Sequence, residues 1–241
     1  MMETLSNRKY GAWLPLGAAI LLVLNFAGGN LLSAQDAAKP NDGELVPLVL
    51  KLPAPVFSGT PKAAPAGIVV EPTPDKPVPL MVPKDVKNVA PGKRISCSDK
   101  NISRADLEKI TDGIKEADGD DIVQLSKGLQ WIQFDLGSPQ QLYAIAVWHA
   151  FDQSKICRDV VVQVANDQDF TDNVRTLYNN DSQNSAGLGA GTNRQYFETF
   201  RGKTIDAKGE TARYVRLYSN GSTDNKLNEY TEVEIYGRPA K

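Results

Sequence analysis

The chain has 241 residues, 41% of them hydrophobic and 23% charged, with a formal net charge of −2. That is room for one ordinary domain or two small ones, with enough apolar residues for a packed core. A chain this close to neutral carries no electrostatic footprint for nucleic acid or an anionic membrane surface, so nucleic-acid binding is excluded.

At the N-terminus, Arg8 and Lys9 precede an apolar run from Ala12 to Leu24, and small residues follow near Leu32-Ser33-Ala34. This order is that of a secretory signal peptide over residues 1–34, which predicts a periplasmic or extracellular protein. The apolar run is shorter than the ~20 residues a spanning helix needs, so no stable membrane span is expected after cleavage. An uncleaved anchor is the alternative. No Cys follows the run, which excludes a lipoprotein anchor.

Residues 35–87 form a proline-rich segment, and twelve of the fifteen prolines fall between Lys39 and Lys93. Proline lacks the backbone N–H donor and disfavours helix in the residue before it. The segment is therefore expected to be extended and to lack a core of its own. It also carries apolar patches at Leu45–Leu50, Ile68–Val70 and Pro79–Val82. These are expected to lie against the following domain as short extended pieces; docking a partner is the alternative.

From about Val89 the pattern changes to short apolar alternations separated by Gly, Asn and Asp. A short helix is predicted over Arg104–Ile110, with Ser103 as its N-cap and Asp106 three residues on. Trp131–Gly137 and Leu142–Trp148 alternate with period two, as do Tyr214–Tyr218 and Thr231–Gly237. Val160–Val164 is β-branched and nearly continuous, as expected of a strand covered on both faces. Strands at turn-rich spacing without recurrent helices predict an all-β antiparallel sandwich or barrel over residues 88–238. Trp131 and Trp148 read as core aromatics. Cys97 and Cys157 are the two cysteines, and in an oxidising compartment the pair reads as a disulfide. Closing that loop would contribute roughly 4 kcal/mol; two free thiols are the alternative.

Three blocks resemble the discoidin, or coagulation factor 5/8 type C, domain of the galactose-binding-like superfamily. They are Asn88-Val89-Ala90-Pro91-Gly92-Lys93, then Thr111-Asp112-Gly113 followed by Trp131–Gly137, and the closing Ala212–Leu217 with Glu232–Gly237. The middle stretch, Tyr178–Asp181 with Asn184–Gly189, is similar to domains in exported proteins of planctomycete-like bacteria. The resemblance implies a jelly-roll-like antiparallel β-sandwich with ligand loops at one end. It implies a binding module for glycans, lipid head groups or proteins, and in many members a structural calcium ion.

Placed on that pattern, Asp112 sits where the calcium loop begins and Glu232 matches the C-terminal carboxylate. Ile114 and Ala117 stand where oxygen donors are expected, so Asp118 and Asp120 are the substitutes, with Asp121 beside them. The bland alternative is an acidic solvated turn. For the ligand, three loops are candidates: 149–158, 179–194 and 220–230. His149, Phe151, Arg158, Asn184 and Tyr230 supply the aromatic faces and hydrogen-bonding groups that sugars require. A single histidine, with no nucleophile elbow, zinc motif or phosphate loop, argues against an enzyme. Two functions follow as expectations. One is an exported, non-catalytic module that binds glycan or another cell-envelope component. The other is a structural subunit of an envelope assembly, docked through the apolar patches to another envelope protein.

Overall fold

The computed structural model describes residues 43–56 and 63–240. The expected signal peptide, residues 1–34, lies outside the described residues.

The described elements begin with two short strands, β1 (Leu45–Pro47) and β2 (Met81–Pro83), which pair antiparallel. The proline-rich segment thus folds back on itself, and Leu48 N–H extends the ribbon by donating to the Leu80 carbonyl at 2.8 Å. Next come β3 (Lys87–Asn88), β4 (Arg94–Cys97) and α1 (Arg104–Glu108). Ser103 caps α1 as the sequence predicts, its hydroxyl accepting from Asp106 N–H at 3.1 Å. The helix tightens into a 3-10 turn at Lys109–Thr111, and a second such turn follows at Gly119–Asp121. The remaining strands are β5 (Val123–Leu125), β6 (Gln130–His149), β7 (Val161–Ala165), β8 (Arg175–Asn179), β9 (Lys203–Ser219) and β10 (Asn228–Pro239).

All strand pairings among these elements are antiparallel, and the principal order is β3-β10-β6-β9-β7-β8. The two alternating runs expected as separate strands are the two halves of β6. The strand bends where Gly137 takes φ +84°, and its register against β9 slips between Asp135 and Gln140. Its first half pairs β4 and its second half pairs β10, while β9 follows both. β9 bends in turn at Lys208 and Gly209, both with positive φ. Bulges of this kind turn a strand from one sheet into the next.

The result is an antiparallel β-sandwich of the jelly-roll kind that the discoidin resemblance implies. One sheet runs β4, β6, β9, β7, β8; the other gathers β3, β5 and β10 on the second half of β6 and the start of β9. Their inner faces share a core of Ile132, Phe134, Ile145, Val147, Val162, Val164, Val215, Leu217, Val233 and Ile235. β7 is buried along its whole length, as its β-branched run requires.

The outer face of the second sheet is also covered. Ala146, Trp148 and Phe151 form a second apolar cluster, packed by Leu50, Ala117, Phe200 and Tyr236. Leu50 belongs to the proline-rich segment, so the first apolar patch packs on the sandwich at its last residue, while Val49 beside it is exposed. Further along, Val70 pairs Gln195, Glu71 forms an ion pair with Lys203, and Asp85 meets Arg238 at 2.9 Å. Trp148 is a core residue, whereas Trp131 is half-buried on an outer face with the Arg216 guanidinium 4.6 Å from its ring.

Trp148 depends on a close backbone approach. Its Nε1–H donates to the Phe200 carbonyl at 3.0 Å, and Gly202 lies against its ring. A Cβ at position 202 would meet the Trp148 ring and the Val147 carbonyl at 2.7 Å, and the backbone there has φ +62°. Gly202→Ala is therefore expected to destabilise the fold by about 2 kcal/mol or more, read as a lower urea midpoint with an unchanged m-value.

Candidate functional site

One end of the sandwich gathers the three candidate loops, and strand register explains why. Gln130 pairs Ser219, Tyr218 pairs Val161, and Val161 pairs Asn179, so β6 begins where β9 and β8 end and β7 starts. In the second sheet, His149 at the end of β6 pairs Tyr230 near the start of β10. Residues 150–160, 180–202 and 220–227 all leave from this end.

The loops are stitched to one another through backbone groups. Arg158 N–H donates to Gly221 O, Asn220 N–H to Arg158 O and Thr223 N–H to Ile156 O, each at 2.9 Å. Asn180 N–H donates to Val160 O at 3.1 Å, and its side-chain oxygen accepts from Val160 N–H at 2.8 Å. Asn228 secures the base of the third loop. Its amide accepts from Ser219 Oγ and Gly221 N–H at 2.7 and 2.9 Å, and donates to Ser126 O and Gly128 O at 2.8 and 2.9 Å. A buried amide used on every side fixes geometry more firmly than it adds stability.

Around this stitch lie Arg158, exposed, and Asp159 and Asn220, both half-buried. Asn220 Nδ2 donates to Asp159 Oδ2 at 2.8 Å. Burial pushes the Asp159 carboxyl above its ordinary range, and the neighbouring Asp181 charge adds to the push. A guanidinium, a carboxylate and an amide at one junction provide the donors and acceptors that read hydroxyl groups. Asp159 takes φ +52°, a conformation Asp tolerates. Nothing in the local sequence marks it as special, so sequence reasoning passed over it.

The five expected ligand residues divide. Arg158 lies on the loop surface. Asn184 is exposed in the second loop, but its side-chain oxygen is engaged by Gly189 N–H at 2.8 Å. His149, Phe151 and Tyr230 are buried at 1%, 2% and 1% exposure, so a sugar in solvent cannot stack on them. His149 and Tyr230 pack on each other with ring centroids 4.4 Å apart, and the Tyr230 hydroxyl donates to Ser219 Oγ at 2.8 Å. These residues end or begin strands, and the core continues past the strand ends.

Among the described residues, no three of the expected calcium ligands Asp112, Asp118, Asp120 and Glu232 bring carboxylate oxygens within 4.8 Å of one another. Asp112 Oδ1 accepts from Ile114 N–H at 2.8 Å and Glu232 Oε2 from Gly113 N–H at 3.0 Å, so these two flank one turn. Asp118 caps Gly119 N–H at 2.9 Å, while the Asp120 carbonyl receives Lys109 Nζ at 2.9 Å. The buried Lys115 ammonium already occupies this region, 2.8 Å from Glu234 and 4.7 Å from the Trp148 ring. Among the described residues, His149, Cys157 and Glu198 are the one trio of such side chains whose ligand atoms lie within 4.8 Å of one another.

The cysteines differ from the disulfide expectation and are separate free thiols. Cys97 on β4 pairs Ile132 of β6 and donates to the Asp99 carbonyl at 3.2 Å. Cys157 precedes β7 and its backbone forms an isolated antiparallel β-bridge with that of Ser222. β6 and β9 stand between β4 and β7 in the sheet, several strand spacings of ~4.8 Å, whereas a disulfide needs Cα atoms within ~7 Å.

No family profile matches the chain, and no curated protein is similar to it in sequence. Solved structures with a related fold include CBM32 of AlyQ, in complex with 4,5-unsaturated mannuronic acid. It is 19% identical, covering 59% of this chain and 92% of that one, at a TM-score of 0.42. A fucose-binding module from Streptococcus pneumoniae is 16% identical over 62% of this chain and 97% of that one, at a TM-score of 0.43. A family 89 glycoside hydrolase from Clostridium perfringens is 13% identical over 64% of this chain, at a TM-score of 0.46. The chain spans only 15% of that hydrolase. At these scores the likeness adds nothing to what the strand pairing itself establishes.

Glu232 gives the region a pH signature. Burial raises its carboxyl from the ordinary 4.5 to about 8; Glu234 and Asp112 add to the shift, and Gly113 N–H and Lys115 oppose it. Between those values the folded chain keeps a proton that the unfolded chain has released, so stability falls as pH rises. Urea unfolding with chelator present, from about pH 5 to about pH 8, is expected to lose about 1 kcal/mol per pH unit. Glu232→Gln should flatten that dependence.

Proposed function

We propose that the protein is an exported, non-catalytic module that recognises glycan or another cell-envelope component through the loop end of its sandwich. The observation that carries this reading is the stitching of three loops from separate strands into one surface, with Arg158, Asp159 and Asn220 at their junction. Loops held by a rigid scaffold place polar groups without ordering them on binding, which favours affinity. The site reads hydroxyls by hydrogen bonds and works without a stacking platform from Phe151 or Tyr230. Arg158 donates, Asp159 accepts, and the Asn220 amide holds the carboxylate in place. Export rests on the charged, apolar and small-residue order of residues 1–34. No helix among the described residues is long and apolar enough to cross a membrane.

A glycan and envelope-polysaccharide array on the purified protein tests this, run with calcium and with chelator. Binding should fall about tenfold in Arg158→Ala and in Asp159→Asn, the size expected when a charged hydrogen bond is lost. Asp159→Asn keeps a residue that tolerates the positive φ, so its folding should be unchanged. Absence of binding to every sugar and envelope extract would remove the glycan reading.

A second reading, a structural subunit of an envelope assembly, is favoured by one feature. A groove of about 700 Å³ is lined by the proline-rich segment, the stretch before β9 and the start of β9, including Leu48, Val49, Pro72, Pro79, Tyr196 and Arg201. Val49 and Val78 on its walls are 82% and 92% exposed. If the groove docks a partner protein, Val49→Asp should release it in native mass spectrometry of a pull-down, with glycan binding unaffected.

A further inference from the structure

Beneath the stitched loops, three side chains from three segments converge. His149 ends β6, Cys157 lies in the following loop, and Glu198 lies in the segment before β9. One ligand atom from each lies within 4.8 Å of the others, and the residues are buried at 1%, 6% and 4% exposure.

Polar groups at this depth are ordinarily hydrogen-bonded. Here both ring nitrogens of His149 and both carboxylate oxygens of Glu198 lack a hydrogen-bond partner, and so does the buried Tyr196 hydroxyl. His149 Nδ1 and Glu198 Oε1 are 2.9 Å apart, but the oxygen lies off the line of the ring N–H. Lys155, the cation in this region, is held by Glu229 at 2.8 Å and Asp152 at 3.0 Å. A buried carboxylate faced only by an imidazole out of hydrogen-bond line and by a thiol is poorly stabilised. The trio therefore has the donors of a site and no fixed cation of its own to neutralise them.

We propose that His149, Cys157 and Glu198 ligate a buried divalent transition metal of the zinc class. Imidazole nitrogen, thiolate sulfur and carboxylate oxygen form a donor set suited to zinc and unsuited to calcium. Bonds of about 2.0–2.3 Å in tetrahedral geometry separate donors by about 3.3–3.7 Å, within the spread of these atoms. On binding, the Cys157 S–H bond breaks, its proton leaves to solvent and the sulfur electron pair forms the metal bond. A divalent ion, a thiolate, a carboxylate and a neutral imidazole then sum to zero charge, as a buried site requires. The fourth position falls to a water or to the buried, unpartnered Tyr196 hydroxyl, which is near enough to Glu198 and Cys157 to feel their charges.

Cysteine, histidine and glutamate are also the parts of a nucleophilic triad, but the surroundings argue against that use. Burial, with Glu198 beside it, pushes the Cys157 thiol well above its ordinary range, and the sulfur is closed to a substrate. The role that fits is structural. The ion ties the end of β6 to two of the loops that carry the recognition surface, and Glu198 N–H already joins them by donating to Lys155 O at 2.9 Å.

Zinc content and cobalt absorption of the full chain test the site. Purified protein equilibrated with zinc and desalted should retain one equivalent by elemental analysis. Cobalt should give a thiolate charge-transfer band that Cys97→Ser preserves and Cys157→Ser abolishes, and His149→Gln should lose the bound equivalent. Chelator should lower the melting temperature of wild type and leave that of Cys157→Ser unchanged. The core position of His149 makes its variant prone to misfolding, so the wild-type and Cys97→Ser cobalt spectra decide by themselves. Folded wild type that retains neither metal, or cobalt bound without a thiolate band, would overturn the proposal.

Discussion

Two strands, β6 and β9, belong to both sheets of the sandwich, and where they bend sets the place of every other element. Each begins in one sheet and ends in the other, paired to its partner along both halves. Neither can slip, because a one-residue shift would turn every inward side chain to the opposite face. The bends at Gly137 and at Lys208-Gly209 absorb the change of direction. β4 and β7 are then edge and neighbour of one sheet, while β10 and β3 complete the other. The same register brings the ends of five strands to one side, so the loop surface is a consequence of how these two strands are bent.

The cover on the second sheet follows from the same path. Because β6 enters that sheet with Ala146 and Trp148 on its outer face, that face is apolar and needs covering. The proline-rich segment supplies part of the cover through Leu50, and its strands pair with each other without adding to the sandwich edge. Proline suits this use, since an extended piece without free N–H groups can lie along a surface without a ladder to join. The segment meets the sandwich at discrete points, at Leu50, Val70, Glu71 and Asp85, and is otherwise largely exposed.

Strands with a period of two were legible in the sequence, namely both halves of β6, the second half of β9 and most of β10, and β7 was legible as a continuous β-branched run. The first half of β9, Lys203–Glu210, was not, because it is largely polar and the positive-φ pair Lys208-Gly209 reads as a turn. Ser103 was legible as a cap because its signal is local. The site residues were harder for a shared reason. His149, Phe151 and Tyr230 sit at strand ends, where sequence position reads as loop while the core still extends. The calcium reading of the acidic residues from Asp112 to Asp121 comes from the discoidin resemblance, and in the fold Asp112 and Asp118 accept from nearby backbone N–H groups. Cys97 and Cys157 were paired on compartment alone, and only the sheet order shows two strands between them. Glu198 has no motif, and its importance appears only when the fold brings it to His149.

A recognition surface at the stitched loop end must be protected when ligand binds. Amide hydrogen exchange of the protein, with and without a bacterial envelope polysaccharide extract, tests it most directly. Added protection is expected in residues 150–160, 180–194 and 220–227, with residues 45–52 and 71–80 unchanged. Protection confined to those latter segments, along the groove of the proline-rich ribbon, would contradict it.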